Sequence, residues 1–131
     1  MIVPTSDPPR PTDAELEILT VLWSRGPSTV REVHDAILRI KPAQYTTVLK
    51  LLQIMTEKGL VIRDEKERAH LYQPSRPQQW TQNQLAGDLL RRAFGGSAKS
   101  LMMGALSARK ASRKELDEMR RMLDEFGMGK S

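Results

Sequence analysis

The sequence predicts a mainly α-helical chain with one small β-hairpin, in two parts: a compact domain over 12–76 and a helical region over 77–131, behind an extended arm at 1–11. Three observations carry this. Two Thr-x-x-Glu signatures open amphipathic helices ahead of residue 40. The stretch Gln44–Gly59, QYTTVLKLLQIMTEKG, keeps helical period and ends on a glycine. Two short runs rich in strand-forming side chains, Leu60–Asp64 and Ala69–Gln73, then lead to a proline-flanked break.

Met1 to Pro11 holds four prolines (Pro4, Pro8, Pro9, Pro11), each fixing φ and removing a donor, so an extended arm is expected. Thr12 and Glu15 make a capping box, in which the hydroxyl accepts from the third helical amide and the carboxylate reaches back to the cap. The helix it opens carries Leu16, Ile18, Leu19, Leu22 and Trp23 and stops at Gly26-Pro27. Thr29 and Glu32 repeat the box, and Val30, Val33, Ile37 and Ile40 line one face of a second helix reaching about Ile40. Lys41-Pro42-Ala43 turns into a third helix, Gln44 to Lys58, whose N-cap no side chain announces. There Val48, Leu51, Leu52 and Met55 fall at i, i+3, i+4 and i+7, a core-facing stripe. Gly59 stops it as a left-handed cap, and Glu65-Lys66-Glu67-Arg68 is short enough to join the two strands as a hairpin.

Half a revolution from the core stripe stand Thr46, Lys50 and Gln53: a hydroxyl, a cation and an amide. A helix with one apolar and one polar face is the ordinary surface helix of any domain, so this face alone decides little. The order of elements decides more. Three helices joined by short turns, then a two-stranded hairpin, is the order of a winged helix-turn-helix. In that arrangement the third helix presents its polar face to phosphates and base edges in a major groove. Lys66 and Arg68 at the hairpin tip then reach phosphates or the minor groove; elsewhere they are a solvated turn.

Beyond Pro74-Ser75-Arg76-Pro77 the chain turns helical again. Trp80 to Phe94 carries Leu85, Leu89, Leu90 and Phe94; Gly95-Gly96 breaks it; Ser97 caps a short helix through about Leu106, with Leu101, Met102 and Leu106 apolar. Ser112 and Glu115 form a third box, opening a last helix with Leu116, Met119, Leu123 and Phe126 at coiled-coil-like spacing. Short amphipathic helices cannot bury such stripes alone. They either pair with a second copy or fold back to complete one monomeric core. Pairing is favoured, because a two-fold protein matches a two-fold DNA site.

Composition narrows the function classes. Of 131 residues 39% are hydrophobic, enough for a modest core, and the absence of cysteine excludes disulfides and thiolate metal sites. No apolar run approaches a membrane span and the proline-rich N-terminus lacks a signal peptide's apolar segment, so a soluble, cytoplasmic protein with no membrane partner is expected. Net charge is +5, with 21 Lys+Arg against 16 Asp+Glu, which favours a polyanionic partner mildly. The surplus is uneven: residues 1–76 hold 11 basic and 10 acidic side chains, residues 77–131 hold 10 and 6. A DNA-reading first domain must therefore use a few placed cations, helped by helix N-termini.

Nothing in the sequence converges as nucleophile, base and acid, so no enzyme is expected. His34, on the flank of the second helix, and His70, in the second strand, lack carboxylates at ligand spacing, and no metal or other cofactor is expected. Gly95-Gly96 lacks the strand and Lys-Ser/Thr of a phosphate loop, and Met102-Met103, Met119 and Met122 suit core filling better than metal binding.

The runs PTDAELEILTVLW at 11–23, TVREVHDAI at 29–37, YTTVLKLLQIMTEKGLV at 45–61 and RAHLYQP at 68–74 resemble the BlaI/MecI/CopY penicillinase-repressor family, and the C-terminal helices match its layout. The resemblance implies a homodimeric winged-helix repressor, partnered by double-stranded operator DNA with palindromic sites and by a second copy, that blocks transcription of resistance or metal-homeostasis genes. It places Thr46, Thr47 and Lys50 where the family's recognition helix touches DNA and Arg68 in its wing. Thr47 comes from the resemblance alone, since the helical wheel puts it on the flank. Antibiotic-induced members are cleaved by a membrane sensor protease at an Asn-Phe bond, so the resemblance implies a sensor or protease as a further partner. Gly104-Ala105 stands at that place here, and the copper branch's cysteine motif has no counterpart. A winged-helix protein-interaction module in a larger assembly is the alternative reading, supported by the near-neutral charge of residues 1–76.

Overall fold

The computed structural model describes residues 10–66 and 68–128. In chain order the elements are α1 (Asp13–Arg25), α2 (Val30–Leu38), α3 (Tyr45–Lys58), β1 (Val61–Asp64), β2 (Leu71–Pro74), α4 (Gln78–Ala93), α5 (Ala98–Ala108) and α6 (Arg113–Met128). The arm expected at 1–11 lies outside the described residues except for Arg10 and Pro11.

Both threonine boxes close. Thr12 Oγ1 accepts from the Glu15 amide at 3.2 Å while the Thr12 amide donates to Glu15 Oε1 at 2.9 Å; the Thr29–Glu32 pair repeats this at 3.1 and 2.9 Å. The Thr29 amide, aided by the Thr29 hydroxyl and Arg25, holds the Glu32 carboxyl below its ordinary pKa against partial desolvation. At Ser112 only the forward half forms among the described residues, the Glu115 amide donating to Ser112 Oγ at 3.0 Å.

One core joins α1, α2, α3 and the hairpin. It contains Ile18, Leu19 and Leu22 from α1, Val30, Val33 and Ile37 from α2, Val48, Leu52 and Met55 from α3, then Leu60, Val61 and Tyr72. Each large side chain removed from water in this way contributes about 1.5–3 kcal/mol. Leu51 is only partly buried at its edge. Ile40, expected in the α2 stripe, is 79% exposed instead. The helix ends at Leu38 because its last turn tightens: the Arg39 and Ile40 amides bond the carbonyls three residues back, Ala36 at 3.3 Å and Ile37 at 2.9 Å. That change of pitch turns Ile40 out of the row.

The hairpin is antiparallel, with Val61 opposite Pro74 and Asp64 opposite Leu71. The first strand begins one residue later than expected and ends at Asp64 as expected, while the second runs Leu71–Pro74, so Ala69 and His70 belong to the loop rather than to a strand. Asp64 Oδ1 accepts the Lys66 amide at 2.9 Å, a side-chain turn that takes the backbone out of the ladder. A further pairing was not legible in the sequence: Ser28, between α1 and α2, exchanges both backbone hydrogen bonds with Tyr72, at 3.0 and 2.8 Å.

The chain divides into two compact units, one running through Leu85 and one from Ala86. The division falls inside α4, later than the boundary expected after Arg76. Residues 75–81 are tied into the first unit. Ser75 Oγ donates to the carbonyls of Gly59 and Leu60 at 2.6 and 3.1 Å, the Trp23 indole donates to the Arg76 carbonyl at 3.3 Å, and Thr81 is buried. The Arg76 guanidinium lies 4.7 Å from the Trp80 ring centre.

The second unit has no fully buried side chain in α5 or α6 among the described residues. The Phe94 ring packs against Gly104, where an added Cβ would lie 3.3 Å from it. No helix among the described residues is long and apolar enough to cross a membrane.

Candidate nucleic-acid interface

The third helix is fixed at both ends. At its start Gln44 occupies the cap position in extended backbone without a side-chain bond, so no side chain caps the first-turn amides. His34 holds that end: its Nε2 lies 2.8 Å from the Ala43 carbonyl, a contact in which the ring N–H must donate, and its ring meets Tyr45 edge-on at 5.7 Å. At the far end Gly59 adopts φ 81°, left-handed backbone that a Cβ would strain. This lets the Gly59 amide reach the Thr56 carbonyl at 3.2 Å and the Leu60 amide reach Met55 at 2.9 Å, a Schellman closure.

Lys58 locks the same end to α1. Its Nζ lies 2.8 and 3.0 Å from the Glu15 carboxylate oxygens, and the Glu15 side chain is 2% exposed. Burial pushes the Glu15 carboxyl upward, but the Lys58 ammonium and the Thr12 amide outweigh it and leave the pKa below the ordinary 4.5. Glu15 thus caps one helix and anchors another. Local spacing reveals only the first task, because its second partner lies 43 residues away.

With the apolar stripe fixed in the core, the opposite face is set. Thr46, Lys50 and Gln53 are all exposed, and at about 100° per residue they fall within an arc of roughly 60°. Thr47 is exposed too but sits about 100° further round, on the rim of a groove lined by Lys41, Pro42 and Leu51. Glu57 shares the Thr46 row near the helix end and is exposed. Its carboxylate leaves the N-terminal half of the face as the part suited to an anion.

Many cations of this unit are already engaged. Lys58 binds Glu15, Lys41 binds Glu17 at 2.6 Å, Arg25 binds Glu32 and Arg63 binds Glu65. The Tyr72 side chain, then Glu65, raise the Arg63 pKa further. By contrast Lys50 on α3 and Lys66 and Arg68 on the hairpin loop are exposed and make no ion pair among the described residues. His70 is exposed in that loop, and no cluster of three potential metal ligands occurs among the described residues.

The residues expected to pair with a second copy all lie in α5 and α6. Leu101, Met102, Leu106, Leu116 and Met119 are half-buried, Leu123 is 52% exposed, and Met122 and Phe126 extend the exposed apolar surface.

The sequence matches the family model of the penicillinase repressor over residues 11–125. It is 33% identical over 118 residues to the transcriptional regulator BlaI of Mycobacterium tuberculosis, covering 89% of this chain and 85% of that protein. It is 21% identical over 113 residues to the penicillinase repressor of Staphylococcus aureus, covering 86% and 90%. Among solved structures it is similar to the solution structure of the Bacillus licheniformis BlaI monomeric form in complex with the blaP half-operator, with a TM-score of 0.49, 23% identity, and coverage of 56% of this chain and 89% of that one. With a family match over nearly the whole chain and a relative 33% identical across most of both lengths, the chain belongs to the penicillinase-repressor family.

Proposed function

We propose that the protein is a homodimeric transcriptional repressor, acting in the cytoplasm, that sits on a palindromic operator with α3 in the major groove and the hairpin loop on the flanking backbone. One observation carries this: a helix anchored at both ends by His34 and by the Lys58–Glu15 pair presents an exposed Thr46–Lys50–Gln53 face beside cations that make no ion pair among the described residues. Thr46 and Gln53 have the donors and acceptors for base edges, and Lys50 suits a phosphate or the guanine acceptors. Thr47, at the rim, suits the sugar-phosphate backbone, as do Lys66 and Arg68. The uncapped amides of the first α3 turn add donors for a phosphate.

Dimerisation through Leu101, Met102, Leu106, Leu116, Met119 and Leu123 would cover the apolar surface of α5 and α6 and give two reading helices for two half-sites. The protein has no catalytic role in this reading, and a sensor or protease that relieves repression completes its partners.

The test is a fluorescence-anisotropy titration, with footprinting, on DNA from upstream of the protein's own gene and on random duplex, at two salt concentrations. Strong preference for the upstream DNA, with two protected half-sites about one helical turn or a multiple apart, is the expected result. Weak binding equal on every sequence would instead favour a protein-interaction module.

A further inference from the structure

The positive surplus of this chain does not lie on the face just described. Between Asp88 and Glu115 the sequence runs for 26 residues, 89–114, with seven cations and no acid. Four of those cations fall in six positions, Arg109-Lys110-Ala111-Ser112-Arg113-Lys114, which form the α5–α6 turn and the start of α6. All four are exposed, and none makes an ion pair among the described residues. Folding does not account for them. Ser112 is the N-cap of α6, accepting the Glu115 amide at 3.0 Å, so Arg113 and Lys114 are its first two helical residues. That is the positive end of the helix dipole, where cations are unfavourable. Glu115 also lies in that first turn, as Glu32 follows Arg31 in α2, but α6 opens on two consecutive cations where α1 opens on Asp13.

We propose that the 109–114 turn is a second, sequence-independent contact for the phosphates of duplex DNA. It supplies electrostatic attraction that the first 76 residues, near neutral in charge, lack. The turn carries nothing larger and apolar than alanine to insert into a lipid surface, so only charge is offered. A regular row of phosphates takes four adjacent cations, and each contact displaces condensed counterions. This rests on the repressor reading only in naming DNA as the polyanion. The two predict different signatures: contacts from α3 change the preference between sequences, whereas this turn changes affinity for all sequences alike.

The experiment measures affinity of the full chain for upstream DNA and for random duplex across a salt series. It compares the parent with Arg109→Gln/Lys110→Gln/Arg113→Gln/Lys114→Gln and with the charge-keeping Arg109→Lys/Arg113→Lys. Each lost phosphate contact removes about 0.9 from the slope of log affinity against log salt. The glutamine variant should therefore lose roughly 2–4 units on both duplexes, leaving their affinity ratio unchanged, while the lysine variant keeps the parent slope. Thermal stability of the glutamine variant should hold or rise, since two cations leave the α6 N-terminus. Parent-like slopes in the glutamine variant would overturn the proposal. So would binding lost together with helical content, or an equal loss in the lysine variant. Absence of any preference for upstream DNA in the parent would defeat the repressor reading instead, and the slope on random duplex would still decide this one.

Discussion

The two units solve the burial problem differently. In the first, α1, α2, α3 and the hairpin enclose one core, and four of its cations have acidic partners. In the second, α5 and α6 hold no fully buried side chain among the described residues, Phe126 is 67% exposed, and the charge surplus gathers in an acid-free stretch. A unit that closes its own core can keep a helix face rigid for recognition. A unit that leaves its apolar stripe open offers the surface on which the proposed second copy would pack.

The strongest way to break that contrast is a pair of truncations. Leu52→Ala, at a fully buried α3 position, should cost about 2–5 kcal/mol in urea unfolding. Leu123→Ala should leave that transition within about 0.5 kcal/mol yet weaken self-association in sedimentation equilibrium. Equal folding costs for the two would erase the distinction.

Next in size is Glu15→Gln, which leaves the Lys58 ammonium facing an amide; the expected loss is about 1–3 kcal/mol at neutral pH. The folded carboxyl titrates below its ordinary 4.5, so its stabilisation is complete above that value and drains away as pH falls through the lower folded value. Thermal midpoints followed downward from pH 6 should show an acid limb in the parent that flattens in the variant. A variant limb as steep as the parent's would place the acid sensitivity elsewhere. Smaller still is Gly59→Ala. Nothing lies within 4 Å of the added Cβ, so its cost, about 1 kcal/mol, is the left-handed backbone alone. Denaturant midpoints unchanged by this substitution would mean that the Schellman closure does not hold α3.

What the sequence disclosed follows the same divide between near and far. Thr12–Glu15, Thr29–Glu32, the α3 stripe and the Gly59 stop are relations within a few residues, and spacing alone reveals them. The Lys58–Glu15 pair, the Ser28–Tyr72 bridge and the Trp23–Arg76 bond join positions more than 40 residues apart, so no local pattern records them. Ile40 failed for a different reason: periodicity assumes constant pitch, and the last turn of α2 tightens. The start of the second strand differs because Asp64 captures the Lys66 amide and the ladder ends at the Asp64–Leu71 pair, chemistry that β-propensity ignores. On the candidate face, Thr46, Lys50 and Gln53 were legible from the wheel, whereas His34 is assigned to the α3 N-terminus only by its 2.8 Å contact with Ala43.

The central claim is that the first unit reads DNA with α3, and Lys50→Ala tests it most directly. In anisotropy titrations on upstream DNA across a salt series, this variant should bind more weakly than the parent, with a slope shallower by about one unit. Arg68→Ala on the hairpin loop should behave alike. Parent-like affinity in both variants at every salt concentration would contradict the assignment of α3 and the wing to DNA.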